Sequence, residues 1–301
     1  MIRGALVVTA AALLSALAPL AVYTVSLAAF GLLHVLCELR YVDARFTPRI
    51  PRRTVAALSL LLLLIALLRT LGFAGVLRGA FSATVELALV ALLVVVALPH
   101  VRRFRPLGLL ALALFLLAIF LAPLAALPVL ALLHNLTPVG FLAEGLPPGE
   151  RRQALLRCAM VFLVVPAAIA CARIGTTGFD PLGAGPLRGH LHAFLPREWT
   201  GASWATSLFA AAVYLQVMHY VAVVYLLPRL SREWRPKEAL LPWPRPRLFH
   251  RAAAAAGALL FVAFALSFRD ARLFYGIAAS VHARVEIPLL LMAPSLGPPR
   301  S

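Results

Sequence analysis

The feature that most limits what this chain can become is a series of apolar stretches of bilayer-crossing length. They lie near residues 19–39, 54–70, 80–99, 107–122, 124–143, 154–172, 203–227, 251–268 and 274–294. A helix needs about 20 predominantly apolar residues to cross the hydrocarbon layer. In lipid every backbone polar group must be satisfied within the protein, so stretches of this kind form helices. With 62% of the 301 residues hydrophobic and 13% charged, no soluble fold can bury this surface in one core. The expectation is an all-α polytopic transmembrane helical bundle of about nine spans, with eight or ten as the nearest alternatives. Residues 1–18 start basic and continue with a short apolar run, which suits either a signal-like leader or a short extra helix broken at Pro19. Residues 19–301 read as a single transmembrane domain.

The formal charge of +17 follows from topology and not from a nucleic-acid surface. Arginine-rich connections at 40–53, 100–106, 151–157 and 228–251 alternate with less basic ones at 70–79, 123–128, 173–202 and 268–273. The positive-inside rule places the rich set in the cytoplasm. That assignment makes 173–202 an external loop, 228–250 a cytoplasmic basic loop and the C-terminus cytoplasmic, in a multi-pass protein of the inner (cytoplasmic) membrane. Lys237 is the sole lysine, so part of the arginine excess reflects coding bias. Trp234 and Trp243 make the basic loop an interfacial strap, and Pro123 with Pro128 reads as a tight external turn. Cys37, Cys158 and Cys171 are too scattered for a disulfide frame or a thiolate zinc site and read as small core residues. The expected partners are the bilayer and a lipophilic small molecule, with no nucleic acid.

Ionisable residues inside the spans are few, and each is costly to leave unpaired in lipid. His34 and Glu38 lie four residues apart in "HVLCE", and His282 and Glu286 repeat that spacing in "VHARVE", so each pair occupies one helix face. His134 stands beside Asn135, and His219 between Gln216 and Tyr220. At ~1.5 Å of rise per residue from the cytoplasmic end, His34 and Glu38 fall near the surface, with Glu286, His219 and His134 at about 12–14 Å and His282 deeper. Four imidazoles and two carboxylates from four helices can surround a metal, as in other helix-bundle centres. The expected ligands are His34, His134, His219, His282, Glu38 and Glu286. The nitrogen and oxygen donors favour iron, with zinc as the alternative. Glu38, Glu286 and Tyr220 are the expected catalytic groups, and Tyr220, Asn135 and Gln216 the expected partners that fix ring tautomers. Arg284 points to another side of its helix and is expected to pair loosely with Glu286, with another carboxylate, or with an anionic group of a substrate. Glu86 is expected to pair with Arg69 or Arg78 as a structural contact. His100 beside Arg102 and Arg103 reads as interfacial, and His190 with His192 stands apart on the external loop.

The His-then-acid elements resemble the Brp/Blh family of β-carotene 15,15′-dioxygenases. "HVLCE" is similar to that family's first His-x-x-x-Asp element, "VMHYV" to a later histidine helix and "VHARVE" to the terminal His-plus-acid element. Glu38 stands where the family has aspartate, Val35 where it has a small residue and Val223 where a second histidine would follow His219. The resemblance implies an iron-dependent enzyme that cleaves a carotenoid within the membrane. Taken together, the residues point to a membrane-bound non-haem iron oxygenase or oxidoreductase acting on a carotenoid or lipid, with an unidentified redox partner. The alternative is a proton- or ion-coupled transporter that uses the same His and Glu residues.

Overall fold

A computed structural model of the chain describes residues 2–77, 79–102, 104–172, 175–230 and 239–296. Arg78, Arg103, Trp234 and Lys237 lie outside the described residues. The fold is an all-α polytopic bundle. Eight helices are long and apolar enough to cross a membrane, and two shorter apolar helices, Gly4–Leu17 and Arg105–Leu121, accompany them.

The first half of the chain forms α1 (Ile2–Leu17), α2 (Pro19–Phe46), α3 (Arg52–Phe73), α4 (Gly79–Ala97), α5 (Arg105–Leu121), α6 (Pro123–His134) and α7 (Thr137–Gly145). The second half forms α8 (Pro148–Ala159), α9 (Val165–Cys171), α10 (Ala205–Val221), α11 (Leu227–Leu230), α12 (Pro246–Leu266) and α13 (Phe268–Met292). Pro19 opens α2 after the single residue Ala18, and Pro123 opens α6 after Ala122. Proline suits a first helical turn because its missing N–H would have no intrahelical partner there. Ser267 alone separates α12 from α13 and caps the latter by accepting the Asp270 N–H.

Two π-helical turns, Met160–Val164 and Ala222–Leu226, join α8 to α9 and α10 to α11. Pro166 and Pro228 follow them, and the residues four positions earlier, Phe162 and Val224, fall inside the widened turns. A π turn relieves the clash between a proline ring and the carbonyl four residues back.

Several sequence expectations need correction. The stretch 124–143 does lie within a candidate span, Pro123–Gly145, but a turn at Asn135 and Leu136 divides it into α6 and α7. Pro128 lies inside α6 and makes no turn with Pro123. The connection at 268–273 is instead the first turn and a half of α13. Helix α2 runs past Arg40 to Phe46, which puts His34 and Glu38 in its interior and not near a surface.

Helix α10 is the central element, apolar all round and with 72% of its spanning window buried. It packs against α1, α2 and α9, while α13 packs against α2, α3 and α4. Outward-facing side chains such as Leu63, Phe120 and Leu259 are exposed to the surroundings, as lipid-facing residues are. At one end of the bundle Glu144 accepts from Arg45 Nε (2.5 Å) and Arg49 Nη1 (2.8 Å). At that end Asp43 also accepts from the Leu240 and Leu241 amides and from Trp243 Nε1 at 2.8–2.9 Å. Trp243 is thus tied to the protein. At the other end, residues 175–204 fold over the bundle with His190, Leu191, Phe194 and Leu195 buried.

Candidate metal centre

The four helices that carry His34, His134, His219 and His282 all begin at the end covered by residues 175–204. His34 lies fifteen residues into α2, His134 eleven into α6, and His219 and His282 each fourteen into α10 and α13. At 1.5 Å per residue these positions fall about 16–23 Å from that end. Similar depth on neighbouring helices brings the rings together.

One ligand atom each from His34, Glu38, His134, His219 and His282 lies within 4.8 Å of every other. His282 is at the centre, its Nε2 standing 3.1 Å from His34 Nε2 and 3.1 Å from His134 Nε2. Glu38 Oε2 is 3.4 Å from His219 Nε2 and 3.9 Å from His282 Nε2. His34, His219, His282 and Glu38 are all buried.

The outer contacts set the tautomers. A carbonyl oxygen only accepts, so His34 Nδ1 donates to Phe30 O at 3.2 Å and its Nε2 lone pair faces inward. His134 Nδ1 donates to Glu286 Oε2 at 2.6 Å, which turns its Nε2 lone pair inward as well. Two lone pairs therefore face His282 Nε2, which has at most one proton to offer. Histidine held from behind by a carboxylate or carbonyl is the usual metal-ligand arrangement. Ligand atoms bonded at 2.0–2.1 Å to one ion sit about 3.0–3.4 Å apart, which the observed 3.1 Å contacts match. Both ring nitrogens of His219, both oxygens of Glu38, His282 Nδ1 and Glu286 Oε1 have no hydrogen-bond partner among the described residues. Each buried unsatisfied group costs roughly 1–3 kcal/mol, and a shared cation would engage several at once. The residues fit a metal.

Not every expected site residue joins the five donors. Glu286 stands behind His134 as its hydrogen-bond partner. Tyr220 meets the site through its ring, 4.1 Å from that of His34. Asn135 donates to the Ala131 carbonyl and Gln216 to Ser26 Oγ, so neither fixes a histidine tautomer, although both line the adjoining cavity. His190 donates through Nε2 to Ala184 O and packs on Tyr23 and Phe268, away from the cluster. Burial, reinforced by the Arg272 charge, lowers its pKa. His100 Nε2 pairs with Thr54 Oγ1 at 2.8 Å.

Two contributors were missed from the sequence. Thr137 Oγ1 donates to His134 O at 2.7 Å and ties the end of α6 to the start of α7. Tyr275 lies seven residues before His282, hence on the same face of α13, and packs against Gly31 of α2, where a Cβ would meet its ring at 3.1 Å. That seven-residue spacing was the available signal.

A second buried cluster flanks the first. Glu86 Oε1 accepts from Arg284 (2.9 Å) and Arg69 (2.8 Å), and Glu86 Oε2 from Arg69 (2.7 Å). Arg284 therefore finds its carboxylate on α4 and not in Glu286.

A cavity of about 880 Å³ adjoins both clusters. Its walls include His34, His134, His282, Tyr220 and Tyr275 at the inner end and Phe194, Arg197 and Arg272 at the covered end. The size lies within the range of about 300–1,000 Å³ usual for small-molecule sites. The chain matches no protein-family model, no curated protein and no solved structure.

Proposed function

We propose that the protein is an integral-membrane metalloenzyme, a non-haem iron oxygenase or oxidoreductase acting on a lipophilic substrate such as a carotenoid or lipid, with zinc as the alternative metal. The observation that carries this reading is the convergence of His34, Glu38, His134, His219 and His282 at the inner end of a cavity. Mixed imidazole and carboxylate donors with positions left for substrate suit non-haem iron, and zinc accepts the same set. The three elements that resemble the Brp/Blh family, around His34, His219 and His282, meet at this one point, which supports that kinship. The basic end, with Arg45, Arg49 and the Asp43-bound segment, is assigned to the cytoplasm together with the C-terminus, in the inner membrane.

His34, His134, His219, His282 and Glu38 would hold the ion. Bound there, iron supplies Lewis-acid and redox chemistry. Glu286 holds the His134 ring in its tautomer and can take up its Nδ1 proton. Tyr220 fixes the His34 ring by stacking. Leu27, Leu68, Leu127 and Phe268 supply apolar cavity wall that excludes water and accepts a hydrocarbon chain.

Metal analysis of the purified protein tests the reading. The expected result is close to one iron or zinc per chain, lost in His134→Ala and in His219→Ala. Absence of stoichiometric iron, zinc or manganese, with both variants keeping full turnover of lipid substrates, would falsify it.

A further inference from the structure

The charges around the cavity do not balance. Arg69, Arg197, Arg269, Arg272 and Arg284 line it, whereas Glu86 is the one acidic residue that does, and Glu86 already accepts from Arg69 and Arg284. Arg197, Arg269 and Arg272 take part in no ion pair described among these residues. Neighbouring Glu198 and Asp270 do not line the cavity, and Asp270 accepts from the Ser267 hydroxyl. Arg272 is half-buried over the Tyr23 ring, 5.7 Å from its centroid. Three arginines therefore line the covered end of the cavity, where no carboxylate-bearing residue is among the described lining residues. Guanidinium binds carboxylate and phosphate through paired N–H donors.

The opposite end of the same cavity is the histidine cluster. Arg272 lies ten residues before His282 on α13, and Tyr23 eleven before His34 on α2, so the two ends stand about 15 Å apart along both helices. The wall between them is largely apolar, with Leu27, Leu68, Leu127 and Ala131 among its residues. A neutral hydrocarbon would satisfy the wall and leave the arginines repelling one another. A small anion would satisfy the arginines and leave the wall in contact with water.

We propose that the cavity binds a single-chain amphiphile with an anionic head group, the head held by Arg197, Arg269 and Arg272 and the chain reaching the histidines. This deepens the enzyme reading and rests on it for the role of the inner end. The carbon presented to the histidines then lies about 15 Å from the head, which makes the chain the reacting part.

The test is equilibrium binding to full-length protein in nanodiscs of zwitterionic lipid, with oleate, oleyl phosphate and oleyl alcohol as probes. Oleate or oleyl phosphate should bind at least tenfold more tightly than the alcohol, and whichever of the two binds better identifies the head as carboxylate or phosphate. Arg197→Gln/Arg269→Gln, which alters two exposed side chains, should erase most of that preference. Arg272→Gln should do the same, with alcohol binding retained as evidence of folding. His219→Ala should keep the preference, so a failed metal assignment leaves this result standing. A fatty acid carrying a diazirine at mid-chain should label peptides around His134 and His282. Equal binding of the alcohol, a preference unaffected by both arginine variants, or mid-chain labelling confined to residues 187–197 would each overturn the proposal.

Discussion

Arg284 leaves α13 between His282 and Glu286, and the three side chains enter two buried polar clusters whose acidic oxygens are engaged in different ways. In the Arg69–Glu86–Arg284 cluster both oxygens of a single carboxylate accept from two guanidinium groups, which leaves one positive charge in excess and the Nε of each arginine without a hydrogen-bond partner among the described residues. In the histidine cluster, Glu38 and Glu286 accompany four imidazoles with no lysine or arginine among the donors, and ring nitrogens and carboxylate oxygens lack partners. The first arrangement is a helix-to-helix brace in which both carboxylate oxygens are engaged. The second leaves imidazole nitrogens and carboxylate oxygens, the atom types that ligate metals, without partners among the described residues. The two clusters are thus told apart by which atoms remain unsatisfied, more than by how deeply they lie.

The largest effect should come from breaking the brace. Glu86→Ala leaves Arg284 buried without its counter-charge and should lower unfolding stability by about 3–5 kcal/mol, measured in detergent, with metal content per folded molecule unchanged. Equal loss of metal would mean that the two clusters act as one. A smaller effect is expected on the other side. Glu286→Gln weakens the support behind His134 and should reduce metal affinity by about 10–100-fold, with little change in the stability of the metal-free protein. The smallest effect sharpens the contrast most. His219→Leu removes two unsatisfied buried nitrogens, so metal-free stability should stay level or rise by about 1 kcal/mol while stoichiometric metal is lost. A clear destabilisation would show that His219 already has a structural partner.

The helices were legible because apolar length in lipid admits one backbone solution. The His-x-x-x-Glu spacing marked one face of α2 and one of α13, and both faces turn to a common point. What sequence did not specify was set by contacts between distant segments. The partner of Arg284 is Glu86, 198 residues away, and no local spacing identifies it. Asn135 and Gln216 lie near histidines in sequence yet bond elsewhere, to a carbonyl one helical turn back and to a serine hydroxyl on α2, partners that no local spacing to a histidine identifies. The interruption at Asn135 and Leu136 was hidden within an unbroken apolar stretch. The extension of α2 to Phe46 was hidden by its charged residues, of which Asp43 turns inward to hold Leu240, Leu241 and Trp243.

His282 is the ring that touches both His34 and His134 through one nitrogen, and it sits on α13, the last α-helix in chain order among the described residues. During synthesis, a polypeptide that has reached only α12 already carries three imidazoles and Glu38 in the bilayer, without the group that joins them. Under the proposed metal reading, the His282 nitrogen reaches the other donors only once α13 has docked, so the full donor set assembles after the helices that carry His34, His134 and His219 are in place.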